Sequence, residues 1–164
     1  MESIYDINVT TIDGVSRSLG NYRDYVLLIV NVASQCGFTP QYSGLEELHR
    51  RYGEKGLRVL GFPANDFGAQ EPGTEADIKS FCSTNYGVSF DMFAKVGVKG
   101  ANAHPLYRFL QDPALNPKHE LPVKWNFHKY LIGRDGLVIA SFTSNVDPLS
   151  DELVRTIEET LAAR

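Results

Sequence analysis

The sequence predicts an α/β domain built on a central sheet with helices on both faces. Residues 25–34 form a nearly continuous β-branched and aliphatic run, which is typical of a central strand covered on both faces. Residues 56–66 form a second β-like run, and helical patterns follow both runs. The full predicted order is β-β-β-α-β-α-α-β-β-α, and in such sheets functional sites gather at the carboxyl ends of strands.

The amino-terminal third of the chain supplies a predicted hairpin and the first helix. Two short strand-like runs in residues 5–20 flank the turn pair Asp13-Gly14, which favours an amino-terminal β-hairpin. Residues 39–53 show a helical pattern, with Pro40 suited to the first turn. The first helix therefore begins shortly after the first long strand, across a connection of turn-forming residues.

The later helices and strands follow from caps and apolar stripes. A second helix begins at Thr74, with Asp77 three residues on in the manner of a capping box. One stripe of this helix is apolar and contains Ile78, Phe81 and Cys82. A short helix, two strands joined by a turn, and a closing amphipathic helix are predicted in residues 102–112, 125–142 and 150–164.

Size, charge and cysteine content limit the possible functions. The 164 residues suffice for one domain, 1–164, with a substantial core. The net charge is -4 with no dense basic cluster, which argues against nucleic acid and anionic membranes as partners. The early acids and the lack of an apolar leader favour a cytoplasmic location, and the longest apolar run is far short of the roughly 20 residues of a membrane span. Two cysteines are too few for a four-ligand zinc site, so we expect no metal or cofactor.

Cys36 lies where the first long strand ends and the first helix starts. A thiolate at this position is favoured by backbone N–H groups and by the positive end of the helix dipole. The alternative is a small buried core residue, the usual role of a free cysteine. Thr39 stands where a dithiol oxidoreductase would carry its second cysteine, so adjacent dithiol exchange is excluded.

A cysteine hydrolase is a further alternative for Cys36. Such an enzyme also places its cysteine at a helix start, and it needs a histidine as general base. The chain has four candidates, and none of them stands in a motif typical of those enzymes: His49, His104, His119 and His128. Because any of them could approach Cys36 in space, the hydrolase stays open as a minor interpretation.

Four ordered motifs resemble the glutathione peroxidase family in its cysteine-containing form. They are NVASQCGFTPQY, GFPANDFGAQEPG, AHPLY and KWNFHKYLIGRDG, and the resemblance runs from about Asn31 to Phe142. It implies a thioredoxin-like fold with a central mixed sheet flanked by helices, and a peroxidase that reduces hydrogen peroxide and organic or lipid hydroperoxides. A peroxide sensor that relays its oxidation to a partner protein is the alternative from a different functional class.

The resemblance also implies the site residues. Cys36 matches the peroxidatic cysteine, Gln70 the glutamine of the FGxQEP loop, and Trp125 and Asn126 the pair that opens WNF. The three polar side chains are uncharged hydrogen-bond donors, which suits them to stabilise a thiolate and the charge that develops on a breaking O–O bond.

The second cysteine, Cys82, matches the resolving cysteine of family members that use thioredoxin rather than glutathione. This implies a Cys36-Cys82 disulfide, although a core cysteine on the helix stripe is a serious alternative. A disulfide needs Cα atoms within about 7 Å, so we expect the helix of Cys82 to be packed in the reduced enzyme and to unwind partly on oxidation. The short segment 113–122 replaces a longer loop of oligomeric relatives, which suggests a monomer with an open site.

Three positions depart from the pattern of the family. Ala64 stands where many relatives have a further cysteine, Asp66 where they usually have glutamine, and Asp91 where they usually have proline. A carboxylate facing Cys36 would disfavour its thiolate. We therefore expect the Asp66 side chain to point to solvent.

Overall fold

The computed structural model describes residues 3–116 and 122–163, which form a five-stranded mixed sheet and a separate two-stranded hairpin. The strands are β1 (Asn8–Thr10), β2 (Ser16–Ser18), β3 (Val26–Val32), β4 (Leu57–Pro63), β5 (Asp91–Met92), β6 (Lys129–Ile132) and β7 (Val138–Phe142). The helices are α1 (Gln41–Tyr52), α2 (Glu75–Tyr86), α3 (Pro105–Leu110) and α4 (Asp151–Ala162). Strands of the main sheet lie in the order β5-β4-β3-β6-β7.

Strand β3 is the centre of the main sheet, and each of its residues is buried. It pairs in parallel with β4 on one side and antiparallel with β6 on the other. Its side chains alternate between two cores, with Leu27 and Ile29 in one and Leu28 and Val30 in the other. Both faces are thus covered, which explains why the sequence of this strand is apolar almost throughout.

The two cores place the helices on opposite faces of the sheet. Helix α3 packs with the hairpin in the first core, whereas α1, α2 and α4 contribute to the second. Helix α2 adds Ile78 and Cys82 to this second core, and the loop after β3 adds Cys36. Both cysteines therefore lie on the same side of the sheet.

The structure confirms most of the predicted elements. The hairpin is present, with Gly14 at a φ of +87° in its turn, and Thr74 caps α2 in a capping box with Asp77. Two differences remain. The two-residue strand β5 was not predicted from the sequence. The strand predicted from residue 125 begins only at Lys129, because Phe127 has a φ of +63°, which lies outside the β region.

Two general features concern the described residues as a whole. No helix among them has the length and apolarity needed to cross a bilayer. Their side chains also form no group of three or more His, Cys, Asp or Glu residues suited to hold a metal ion.

Candidate active site

Cys36 lies in the turn that joins β3 to α1, and hydroxyl and backbone hydrogen bonds fix its position. Its N–H donates to Thr39 Oγ1 at 2.9 Å, while the Thr39 hydroxyl donates to the carbonyl of Ala33 at 2.9 Å. Thr39 is 5% exposed, so water competes little for these bonds. Thr39, at the position where a dithiol oxidoreductase has its second cysteine, thus holds Cys36 in the turn.

The sulfur of Cys36 accepts a hydrogen bond from the backbone N–H of Phe38 at 3.3 Å. An N–H directed at sulfur is a donor suited to negative charge there. Cys36 as a residue is 8% exposed. Its sulfur is therefore a buried group held in a polar turn.

Gln70 and Asn126 form a hydrogen-bonded pair next to this turn. The Asn126 Nδ2 donates to Gln70 Oε1 at 2.9 Å and to the carbonyl of Phe67 at 3.3 Å, and Asn126 is fully buried. The backbone carbonyl of Gln70 accepts from the backbone N–H of Gln35 at 3.0 Å. This bond joins the loop of Gln70 to the residue before Cys36. With both of its N–H groups committed, Asn126 orients the Gln70 amide so that the Gln70 nitrogen remains available as a donor.

Trp125 borders the same region and is 36% exposed. Its ring lies 5.4 Å from that of Phe67, measured between centroids. Gly68, with a φ of +67°, lies below both functional side chains: a Cβ there would stand 3.3 Å from the Trp125 ring and 3.4 Å from the Gln70 amide carbon. Glycine at this position lets the backbone bend and lets the two side chains lie against it.

The WNF segment is anchored by polar groups that the sequence analysis did not identify. Asn31 on β3 donates from Nδ2 to the Trp125 carbonyl at 3.1 Å and accepts the Phe127 N–H on its own carbonyl at 2.6 Å. The Ser144 hydroxyl donates to the Asn126 carbonyl. An available signal was the polar Asn31 inside an otherwise apolar central strand, since buried polar groups require partners.

Lys129 at the start of β6 completes this anchor. It is fully buried, and its Nζ donates to the carbonyl of Phe127 at 2.7 Å. Burial lowers the pKa of Lys129 from 10.5 to about 7, while Asp147 acts in the opposite direction. Lys129 thus holds Phe127, whose φ of +63° is unusual for a residue with a side chain, from within the core.

Cys82 has a different environment. It lies on α2 at 2% exposure, among apolar and aromatic side chains. Burial, with a smaller contribution from the negative charge of Glu71, raises its pKa to about 11. The hydroxyl of Tyr42 faces the thiol and acts in the opposite direction, but it makes no hydrogen bond of ordinary geometry. Both cysteines are free thiols, and Cys82 is a packed core residue in this state.

The predicted site residues divide into two groups in space. Cys36, Gln70, Trp125 and Asn126 belong to loops that meet at the carboxyl end of β3, whereas Cys82 lies within a helix beyond them. In the described part of the chain, the hydrogen bond to the Cys36 sulfur comes from Phe38. The donors expected from the other three side chains are therefore close by in the fold but not yet directed at the sulfur.

The histidines give no support to a hydrolase. His104 caps α3 through Nδ1, His128 bonds Ser141 at 2.7 Å, and His49 packs its ring on Phe90. His119 lies outside the described residues. Among the hydrogen bonds of residues 3–116 and 122–163, none joins Cys36 to a histidine.

The two unusual aspartates have structural partners. Asp66 is half-buried and accepts from the N–H of Val98 at 3.3 Å, so the expectation that it points to solvent is wrong. Its carboxylate is held by the loop that carries Val98. Asp91 accepts from the Tyr22 hydroxyl at 2.6 Å and pairs with Arg17 at 3.6 Å, which fixes the edge strand β5 to the amino-terminal segment.

Comparison with known proteins points to one family. The family described as Glutathione peroxidase matches residues 4–111. The chain is 48% identical to the hydroperoxy fatty acid reductase gpx1 of Synechocystis over 97% of this chain and 96% of that protein. It is 44% identical to the glutathione peroxidase-like peroxiredoxin gpx1 of Schizosaccharomyces pombe, over 98% of this chain and 100% of that protein.

Solved structures agree on the fold. Trgpx in its apo form superimposes with a TM-score of 0.76 at 34% identity, over 98% of this chain and 97% of that one. A thioredoxin family thiol:disulfide interchange protein of Chlorobium tepidum gives a TM-score of 0.70 at 14% identity, over 98% and 96% of the two chains. The second match concerns the fold alone. The predicted thioredoxin-like fold is confirmed.

Proposed function

The chain belongs to the glutathione peroxidase family and is a peroxidase-type oxidoreductase that reduces hydroperoxides, and we propose that it does so as a thiol peroxidase recycled by thioredoxin. The observation that carries this proposal is the arrangement around Cys36. A buried cysteine stands in a polar turn, close to a Gln70-Asn126 pair and an exposed tryptophan. An N–H is directed at the Cys36 sulfur, and the neighbouring amides are suited to a transition state that carries negative charge on oxygen.

In the proposed first step, the Cys36 thiolate attacks the terminal oxygen of a hydroperoxide. The O–O bond breaks, water or an alcohol leaves, and Cys36 becomes a sulfenic acid. The Gln70 amide nitrogen, left available by the bond from Asn126, supplies a hydrogen bond to the reacting oxygens. The Trp125 indole borders the approach and limits access of water.

In the proposed second step, Cys82 attacks the sulfenic acid and forms the Cys36-Cys82 disulfide. Cys82 lies in an intact helix at 2% exposure, so part of α2 must open before the two sulfurs meet. A groove of about 330 Å³ lies between the Cys36 loop and α2. Ser34 and Gln35 line it on the loop side, and Ile78 and Phe81 line it on the helix side. This groove gives the opened segment room to move.

The opening of α2 and the exposure of Trp125 also support our proposals for the reductant, the substrate range and the assembly. A disulfide formed by an opened helix is accessible to thioredoxin, and the exposed Trp125 suits an open site that accepts bulky lipid hydroperoxides. An open site needs no second subunit, and we propose a monomer. The short segment on which this prediction first rested, 113–122, lies partly outside the described residues. Two free thiols that must be regenerated suit the reducing cytoplasm.

The test couples peroxide consumption to NADPH oxidation, either through thioredoxin and its reductase or through glutathione and its reductase. We expect Cys36→Ser to abolish turnover with both systems and Cys82→Ser to abolish only turnover that thioredoxin drives. Continued recycling with thioredoxin also distinguishes an enzyme from a sensor, which would react once per partner. Faster turnover with glutathione, unchanged in Cys82→Ser, would contradict the proposed reductant.

A further inference from the structure

Glu71 is a buried acid that the proposed peroxide chemistry leaves without a role. It is 0% exposed, and one carboxyl oxygen, Oε1, accepts from the N–H of Ser34 at 3.1 Å. Its own N–H donates to Asn65 Oδ1 at 2.8 Å. The other carboxyl oxygen, Oε2, is buried and has no hydrogen-bond partner in the described structure. An orphaned carboxyl oxygen is costly to bury and is therefore unusual unless it has a task.

The position of Glu71 links the surroundings of the two cysteines. Ser34, its hydrogen-bond partner, stands two residues before Cys36. On the other side, the charge of Glu71 raises the pKa of both Cys82 and Tyr42, so these three groups are electrostatically coupled. Glu71 also lines the groove between the Cys36 loop and α2.

The acidities of these groups suit proton exchange. Burial raises the pKa of Glu71 above its ordinary value, while the hydroxyl and N–H of Ser34 and, less strongly, Lys95 act in the opposite direction. The titratable and charged groups that face it are Lys95, Tyr42 and Cys82. The pKa of Cys82 is raised to about 11, so few molecules carry its thiolate near neutral pH. Since only a thiolate attacks the sulfenic sulfur, resolution needs a base.

We propose that Glu71 is the acid-base residue of disulfide formation, an inference that rests on the peroxidase function proposed above. The carboxylate takes the proton from the Cys82 thiol as α2 opens past it, and the thiolate attacks the sulfur of the Cys36 sulfenic acid. The S–S bond forms as the S–O bond breaks, so Cys82 is oxidised and Cys36 is reduced. The carboxyl group then returns the proton to the departing hydroxide, which leaves as water.

The test is a single-turnover experiment on reduced full-length enzyme mixed with one equivalent of hydrogen peroxide. The single tryptophan, Trp125, reports the reaction by fluorescence, and acid quenching with mass spectrometry counts sulfenic acid and disulfide. Glu71→Gln keeps an oxygen acceptor for the Ser34 N–H but cannot accept a proton. We expect disulfide formation to slow by at least about tenfold, with the peroxide step within about twofold of the wild type.

The pH profile of disulfide formation distinguishes proton transfer from a structural role. In the wild type, the rate should rise as Glu71 ionises and then level off. In Glu71→Gln, it should keep rising with pH as a growing fraction of Cys82 ionises without help from a base. The wild-type profile decides even if the variant folds poorly, because a rate that never levels off overturns the proposal.

Asp66→Asn is the matched control, since it makes the same acid-to-amide change in the same loop while keeping the acceptor for Val98. It should leave disulfide formation unchanged. The role of Glu71 is overturned if Glu71→Gln slows the peroxide step and disulfide formation equally, or if it does not slow disulfide formation. If Cys82→Ser turns over with thioredoxin like the wild type, the proposed function itself fails. If Cys82→Ser stops turnover with thioredoxin but Glu71→Gln does not slow disulfide formation, only this inference fails.

Discussion

Cys36 and Cys82 are both buried thiols on the same side of the sheet, but their surroundings are opposite. Cys36 lies in a turn held by hydroxyl and amide groups, and its sulfur accepts an N–H bond. Cys82 lies on a helix among aromatic rings, where burial raises its pKa to about 11. The second environment disfavours a charged sulfur, whereas the first directs a hydrogen-bond donor at the sulfur.

The difference teaches that two buried thiols can be held by different kinds of packing. The polar region around Cys36 depends on buried hydrogen bonds with fixed geometry, which are costly to break because their partners are left unsatisfied. The apolar region around Cys82 depends on side-chain packing and on the local stability of α2. Substitutions in the first region should therefore change the chemistry, and those in α2 should change how readily the helix opens.

The largest expected effect concerns Lys129, the buried ammonium that anchors the polar region. Its pKa is about 7 in the folded protein against 10.5 ordinarily, so between these values the unfolded chain binds more protons. The contribution of Lys129 to the free energy of unfolding therefore increases as pH rises through this window. Lys129→Met removes this contribution, and the wild type should gain about 3 kcal/mol relative to the variant from pH 6.5 to 9.5.

Urea unfolding of both proteins at several pH values measures this difference. The exposed Lys55 provides the control, because Lys55→Met makes the same change without removing a buried group. A Lys129→Met curve that is parallel to the wild type would show that the ammonium is not held in a low-dielectric site.

The next effect concerns Asn126, which orients Gln70. Asn126→Ala removes the bonds to Gln70 and Phe67 and frees the Gln70 amide to turn. We expect the second-order rate constant with peroxide to fall by about 100-fold, while disulfide formation changes much less. Stopped-flow fluorescence of Trp125 measures both steps.

Asn116→Ala is the matched control, since Asn116 is also buried and also donates to a carbonyl, that of Phe109. It should lower stability without changing the peroxide step. If both alanine variants slow that step equally, the effect of Asn126 is loss of stability rather than orientation of Gln70.

The smallest effect concerns the cap of α2. Thr74→Ala breaks the capping box with Asp77 and should destabilise the helix by about 1 kcal/mol. Because opening of α2 precedes the disulfide in our proposal, disulfide formation should become a few times faster. Quenched-flow counting of the disulfide measures this rate.

Ser150→Ala removes the equivalent side-chain cap from α4. It should lower stability by a similar amount and leave disulfide formation unchanged. An unchanged rate in Thr74→Ala as well would mean that the helix need not open before the sulfurs meet.

The parts of the fold that the sequence predicted are those with strong local signals. The apolar run of β3, the Asp13-Gly14 turn and the Thr74 cap each depend on residues close together in the chain. The strand β5 was missed because its two residues lack such a signal and pair through the neighbouring β4. The predicted strand from Trp125 was wrong at its start, because Asn31 and Lys129 hold that segment in another conformation.

The sequence by itself determined the fold class and the family, and it predicted a set of reactive side chains, because motifs and hydrophobic periodicity are local signals that occur in a fixed order. Only the tertiary structure decided that Asn126 bonds to Gln70, that Lys129 is buried, and that Glu71 bonds to Ser34 while its charge acts on Cys82. These facts depend on groups brought together from distant parts of the chain. Burial and hydrogen bonding then set the acidity of each group, which its position in the sequence alone does not reveal.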